Sequence, residues 1–177
     1  MEADPPVPQS QAQGTAARAW PAGRLEGREP FRQAVRDALA CAAAQGWHDI
    51  LISDASFEDW PLNERAVIES LHAWARHGRR MTLLARRYDD VPLWHPRFVQ
   101  WRQIWSHRIE CRGCRQADPM EIPSAIWSPG WYLQRIEMEH CIFVCGDDPQ
   151  RRAALRNVLD EWLRRSAPAF PATTLGL

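Results

Sequence analysis

Residues 47–85 read WHDILISDASFEDWPLNERAVIESLHAWARHGRRMTLLA, and this run decides the fold. Its first part, Trp47 to Ser53, is a short apolar run centred on Ile50, Leu51 and Ile52, the signature of a strand buried on both faces. Behind it, Val67, Ile68, Leu71, Trp74 and Ala75 recur at helical spacing, with Asn63 placed to cap the helix and Gly78 to end it. Met81 to Ala85 is a second buried strand. A strand, a helix and a strand joined by short turns imply a right-handed crossover and parallel pairing.

The pattern extends in both directions. Upstream, Pro30 fits a first helical turn, and Phe31, Val35, Ala38, Leu39 and Ala42 continue at helical spacing to Gly46. Downstream, Trp94 to Arg108 reads as one aromatic helix about Pro96. Ile109 and Cys111 share one face of a strand over 108–112, and 113–121 is a polar loop. Strands at Ile122–Trp127 and Trp131–Ile136 flank a Ser128-Pro129-Gly130 turn, and a strand runs over Cys141–Cys145. Asp148 and Pro149 open a last helix whose inner face is Leu155, Val158, Leu159, Trp162 and Leu163. The fold class is therefore α/β, with a mixed, mostly parallel sheet and helices on both faces. Residues 1–28, rich in Pro, Ala, Gln and Gly, are expected to be a disordered leader before a single α/β domain over 29–177 with an apolar C-terminal tail.

Composition removes several chemistries. All 22 basic residues are arginine, so a Schiff-base amine or a P-loop lysine is excluded. Net charge is zero, which makes nucleic acid an unlikely partner for the molecule as a whole. With no secretory signal and no bilayer-length apolar run, the expected location is cytoplasmic, with no membrane association. The five cysteines fit reduced thiols better than a disulfide framework. Cys111-x2-Cys114 and Cys141-x3-Cys145 suggest zinc at first sight. On an extended strand, however, Cys141 and Cys145 would stand about 13 Å apart, so no metal and no cofactor are expected.

Ligands on parallel sheets bind beyond the carboxyl ends of the strands. Those ends deliver Asp54, then Arg87 and Tyr88, and the aromatic helix adds His95, Arg97, Trp101, Arg102 and His107. These eight residues are the candidate rim for an anionic or aromatic ligand. The plainer reading of the helix is packing, with Trp94, Phe98, Trp101 and Trp105 in the core and arginines over the ring edges. For Asp54, an ion pair with Arg87 or Arg102 and an Asx-type turn on its own backbone stay open. The apolar end, with Phe170, Leu175 and Leu177, either packs on the domain or docks on a partner.

The segments HDILISD (48–54), ERAVIESLHAWARHGRRMTLLA (64–85) and HCIFVCGDDPQRRAALRNVLDEWLRRS (140–166) resemble one half of the phospholipase D-like fold. DASFEDWPL (54–62), LLARRYDD (83–90), HPRFVQWRQIWSHRIECR (95–112) and FPATTLGL (170–177) look like a bacterial family in that group without its nucleophilic motif. Such enzymes use His-x-Lys-x4-Asp. Here His95-Pro96-Arg97 lacks the lysine, and Arg102 stands where the aspartate would be. The resemblance thus implies the scaffold without phosphodiester chemistry, serving as a non-catalytic domain for an anionic or aromatic ligand or a protein partner. The alternatives are an enzyme acting on a phosphorylated or nucleotide-like substrate, with a His95 or His107 acid/base and arginines stabilising charge, and nonspecific nucleic-acid binding through interleaved Arg and Trp.

Overall fold

A computed structural model describes residues 21–172. Eight strands form one sheet: β1 (Gly23–Glu26), β2 (Asp49–Asp54), β3 (Arg80–Ala85), β4 (Ile109–Gly113), β5 (Ser124–Trp127), β6 (Tyr132–Glu137), β7 (Ile142–Gly146) and β8 (Ala167–Pro168). The helices are α1 (Arg28–Gln45), α2 (Arg65–His77), α3 (Val91–Trp94), α4 (Pro96–Ile104) and α5 (Pro149–Arg165). Strand order is β1-β7-β6-β5-β2-β3-β4-β8.

Helices cover both faces, as expected. Residues of one parity along the strands, Ile50, Ile52, Met81, Leu83 and Leu133 among them, pack with α1, α2 and α4. Residues of the other parity, including Leu51, Leu84, Ala125 and Tyr132, pack under Leu155 and Leu159 of α5. Gly46 ends α1 in the left-handed conformation, which costs glycine little (φ 64).

The sheet is mostly antiparallel, which corrects the expected mostly parallel one. Among the described residues only β2–β3 and β3–β4 run parallel, and these are the strands joined by helical crossovers. The last third instead folds as consecutive hairpins, β5–β6 and β6–β7, whose short turns permit only antiparallel pairing. The first of these turns is fixed by Ser128, whose N donates to Trp131 O (2.9 Å) and whose Oγ accepts from Trp131 N (3.0 Å). The hairpin unit joins the parallel strands through the antiparallel β2–β5 pair.

Three local expectations change. Of the 28 residues assigned to a leader, 1–20 lie outside the described residues, and Gly23–Glu26 pair antiparallel with β7 as an edge strand. The aromatic segment is not one helix. His95, the residue before Pro96, leaves helical geometry (φ −129, ψ 54) and separates α3 from α4; α4 ends at Ile104, and a 3-10 turn follows at Ser106–Arg108. Asn63 does not cap α2; its Oδ1 instead accepts from Arg97 N (3.1 Å) in the first turn of α4. Among the described residues no helix is long and apolar enough to cross a membrane.

Candidate functional site

The carboxyl end of β2 turns sharply after Asp54. Its Oδ1 accepts from Ser56 N (3.0 Å) and Phe57 N (2.8 Å), holding Phe57 at a left-handed φ of 65. Its Oδ2 accepts from Arg135 Nη2 at 2.9 Å. Turn and ion pair therefore coexist, and the partner is Arg135 rather than Arg87 or Arg102. Both side chains are sealed from water, at 3 % and 1 % exposure. Arg135 also donates to Asp59 Oδ2 (2.9 Å) and Ser124 Oγ (3.0–3.1 Å), and its Cζ lies 4.5 Å from the centre of the Phe31 ring. With its donors engaged in this way, the guanidinium is a structural cation and not a ligand group.

Phe57 carries the connection onward. Its carbonyl lies 2.8 Å from His95 Nε2, and its ring packs against Tyr88 with centroids 6.3 Å apart. His95 is buried, which pulls its pKa below the ordinary histidine value and keeps the imidazole neutral. Its Nε2 donates to that carbonyl in the core, and only 4 % of the residue is exposed.

The open part of the rim lies at the ends of β3 and β4. The Tyr88 hydroxyl is buried between Leu83 O (2.9 Å) and Arg112 O (3.1 Å), and burial raises its pKa well above the usual phenol value. Phe170 stacks on the Tyr88 ring, 5.0 Å between centroids and 6° between planes. Arg102 lies over the same Phe170 ring at 5.3 Å and donates through Nε to Cys111 Sγ at 3.1 Å. Arg102 is only 5 % exposed, yet its Nη1 has no hydrogen-bond partner among the described residues. A cleft of about 460 Å³ opens beside it, lined also by Arg86, Arg87, Gln103 and Arg115.

A C-terminal segment borders this cleft. Arg112 holds it through Ser166 O (2.6 Å) and Ser166 Oγ (2.9 Å), β8 pairs with β4, and Ala169 N donates to Cys111 O (2.9 Å). The tail therefore packs on the domain as far as it is described; Leu175 and Leu177 lie outside the described residues. On its other side is a second cleft of about 540 Å³, lined by Cys114, Trp162 and Arg165.

The eight sequence-assigned rim residues are thus divided. Tyr88, Arg87 and Arg102 line one cleft. Asp54 and His95 lie behind it in the core, both joined to Tyr88 through Phe57. Trp101 is core, packed on Phe98. Arg97 is exposed and hydrogen-bonded to Asn63. His107 is exposed in the 3-10 turn beside the amino ends of β3 and β4, away from the rim, because the aromatic segment breaks after Ile104.

Sequence reasoning missed Arg135 and Arg112, and it placed Phe170 in the apolar end without linking it to the rim. Arg135 left a signal, since it shares the strand parity of Trp131 and Leu133 and so places a cation in the core that requires a buried acid. Arg112 reaches Ser166 and Phe170 reaches Tyr88 where β8 lies on β4, which nothing local announces.

The cysteines are unbridged, and burial raises the thiols of Cys111, Cys114 and Cys141 and pushes that of Cys145 up to about 11. Such thiols are poor nucleophiles and poor redox centres. Among the described residues, the acid and imidazole group spaced to hold an ion is Glu137, Glu139 and His140. There the Glu137 carboxylate already accepts from the Glu139 and His140 backbone amides.

No family model matches the sequence, and no curated protein matches it. Solved structures do. One is TrmBL2, an archaeal chromatin protein whose structure shows a novel mode of DNA binding, at 12% identity and a TM-score of 0.62 over 84% of this chain and 54% of that one. Another is Nuc, a phospholipase D family member from Salmonella typhimurium, at 12% identity and a TM-score of 0.53 over 85% of this chain and all of that one. The chain spans about half the length of TrmBL2. The fold is similar to that of the phospholipase D group, as the sequence resemblance implied.

Proposed function

We propose that this chain is a non-catalytic binding domain whose cleft beside Tyr88 and Arg102 takes a flat organic anion. The observation that carries this reading is the Arg102 guanidinium, buried with one Nη unpaired among the described residues and lining an open cleft. A buried cation without a counter-ion is costly, and a carboxylate or phosphate oxygen arriving at Nη1 relieves that cost. Tyr88 and Phe170 supply a rigid aromatic wall, and Arg86, Arg87 and Arg115 line the mouth together with Asp89, Arg87 facing Asp90 at 3.8 Å and Arg115 facing Asp89 at 3.7 Å.

Catalysis has less support. The chain has no lysine for a His-x-Lys-x4-Asp site, and His95 is turned into the core. Nucleic-acid binding draws support from the DNA-binding TrmBL2. Against it stand zero net charge and the pairing of Arg164 and Arg165 with Glu161.

Calorimetric titration with benzoate and with phenyl phosphate tests the proposal. Binding by wild type that falls at least about tenfold in Arg102→Met, with melting retained, is the expected result. Equal binding by Arg102→Met, or no binding of either probe, refutes it. Release of phosphate from phenyl phosphate, lost in His95→Ala, would establish the enzyme reading instead. Steeply salt-dependent binding of an oligonucleotide would establish the nucleic-acid reading.

A further inference from the structure

A further opening is bordered by the 119–123 segment, β5, β6 and Val158 of α5, and it shares no lining residue with the cleft beside Arg102. It encloses about 890 Å³. Met120, Ile136, Met138 and Val158 all line it, and all four are exposed, Met120 at 76 % and Ile136 at 50 %. Pro119 and Pro123 complete the floor beside the buried Ile122. Large side chains clustered around one concavity, rather than scattered singly, mark a contact surface. Two of the four are methionines, whose flexible thioethers adapt to varied partners.

Two further features specify the occupant. The first is charge: Asp59, Glu121, Glu137 and Glu139 line the groove against Arg28 and the buried Arg135. Asp59 is committed to Arg135, while Glu121 and Glu139 stand in no ion pair among the described residues. A two-fold pairing of this face with itself would set acid against acid, whereas a cationic partner complements it. The second is the backbone. β5 and β6 are interior strands, hydrogen-bonded on both sides, so an occupant finds no free edge to pair with. It must satisfy its own amides and carbonyls over an apolar floor, which a helix does and an extended peptide does not. We infer that this groove docks a basic amphipathic helix of a partner protein, its apolar face on Met120, Ile136, Met138 and Val158 and its cations toward Glu121 and Glu139.

Fluorescence anisotropy of the full chain with a labelled model helix of about 14 leucine and lysine residues, roughly four turns, tests this. The counterpart with glutamate in place of lysine is the control. Expected is binding of the lysine peptide that weakens with salt, falls at least about tenfold in Ile136→Asp and in Met120→Asp, and is absent for the glutamate peptide. Both substitutions are at exposed positions, and an unchanged melting midpoint confirms that each variant is folded. Glu121→Arg combined with Glu139→Arg should lower affinity for the lysine peptide, whereas Glu69→Arg on α2 should not. Undiminished binding by the groove variants, equal binding of both peptides, or no binding overturns the inference. A dimer seen in sedimentation and abolished by Ile136→Asp also overturns it, by assigning the face to a second copy of the chain.

Discussion

Replacing Asp54 by asparagine probes the best-defined electrostatic feature of the molecule. Asparagine keeps an oxygen for the amides of Ser56 and Phe57, so the turn survives. What it loses is the charge facing Arg135 Nη2 at 2.9 Å, in a pair exposed by only 3 % and 1 %. Removing one member of a buried pair leaves the other uncompensated and costs about 3–5 kcal/mol. Arg135 retains Asp59 and Ser124, so the lower figure, about 3 kcal/mol, is expected. For a chain of this size that corresponds to a midpoint lowered by roughly 6–12 °C. The same change at Asp59, whose side chain is 27 % exposed, should cost only about 1 kcal/mol. Urea unfolding followed by the fluorescence of the ten tryptophans, with thermal melting in parallel, gives both values. A double-mutant cycle with Arg135→Met supplies the decisive number: removing the cation as well should recover about 2 kcal/mol of the Asp54→Asn loss. A midpoint within about 2 °C of wild type for Asp54→Asn, or strictly additive losses in the cycle, would refute this account.

Two further outcomes follow from the same geometry. Burial lowers the pKa of His95 in the folded chain below its unfolded value of 6.5, so the unfolded chain takes up the proton first. The His95 contribution is therefore complete above that value and is lost as pH falls through it toward the folded pKa, with a slope of at most about 1.4 kcal/mol per pH unit. His95→Gln should flatten stability against pH in that window, and an unchanged profile would contradict the assignment. Phe170→Ala removes the stack on Tyr88 and the contact with Arg102, which should cost about 2 kcal/mol on thermal melting; no loss would mean that the C-terminal segment does not clamp the domain.

The parallel half of the fold was legible because each of its elements carries its own periodicity: Ile50 to Ile52, Val67 to Ala75 and Met81 to Ala85 bury the residues that the pattern nominates, Ile68 alone only partly. Strand direction in the second half was not, because antiparallel pairing is set by the connections at 128–131 and 138–141 rather than by the strands themselves. β1 was invisible for a different reason. Gly23–Glu26 are all exposed and carry no apolar alternation, and they become a strand only because β7 offers an edge. Of the rim, Tyr88 and Arg102 could be nominated from their places after β3 and on α4. Phe170 could not, since its neighbour Tyr88 is remote in the chain, and His107 was misplaced because a single helical wheel was drawn through the break after Ile104.

The Arg135 cluster also bears on how the chain reaches its native state. Its bonds to Asp59 and Asp54 span 76 and 81 residues, whereas its bond to Ser124 spans 11 and lies within one hairpin. The hairpin can therefore close early and locally, but seating it against β2 carries the entropic penalty of a long loop before any long-range contact compensates. A hairpin docked without Asp54 in position would strand a guanidinium in apolar surroundings. Half-assembled states are thereby disfavoured, and the two halves of the sheet are made to lock together in a single late, cooperative step.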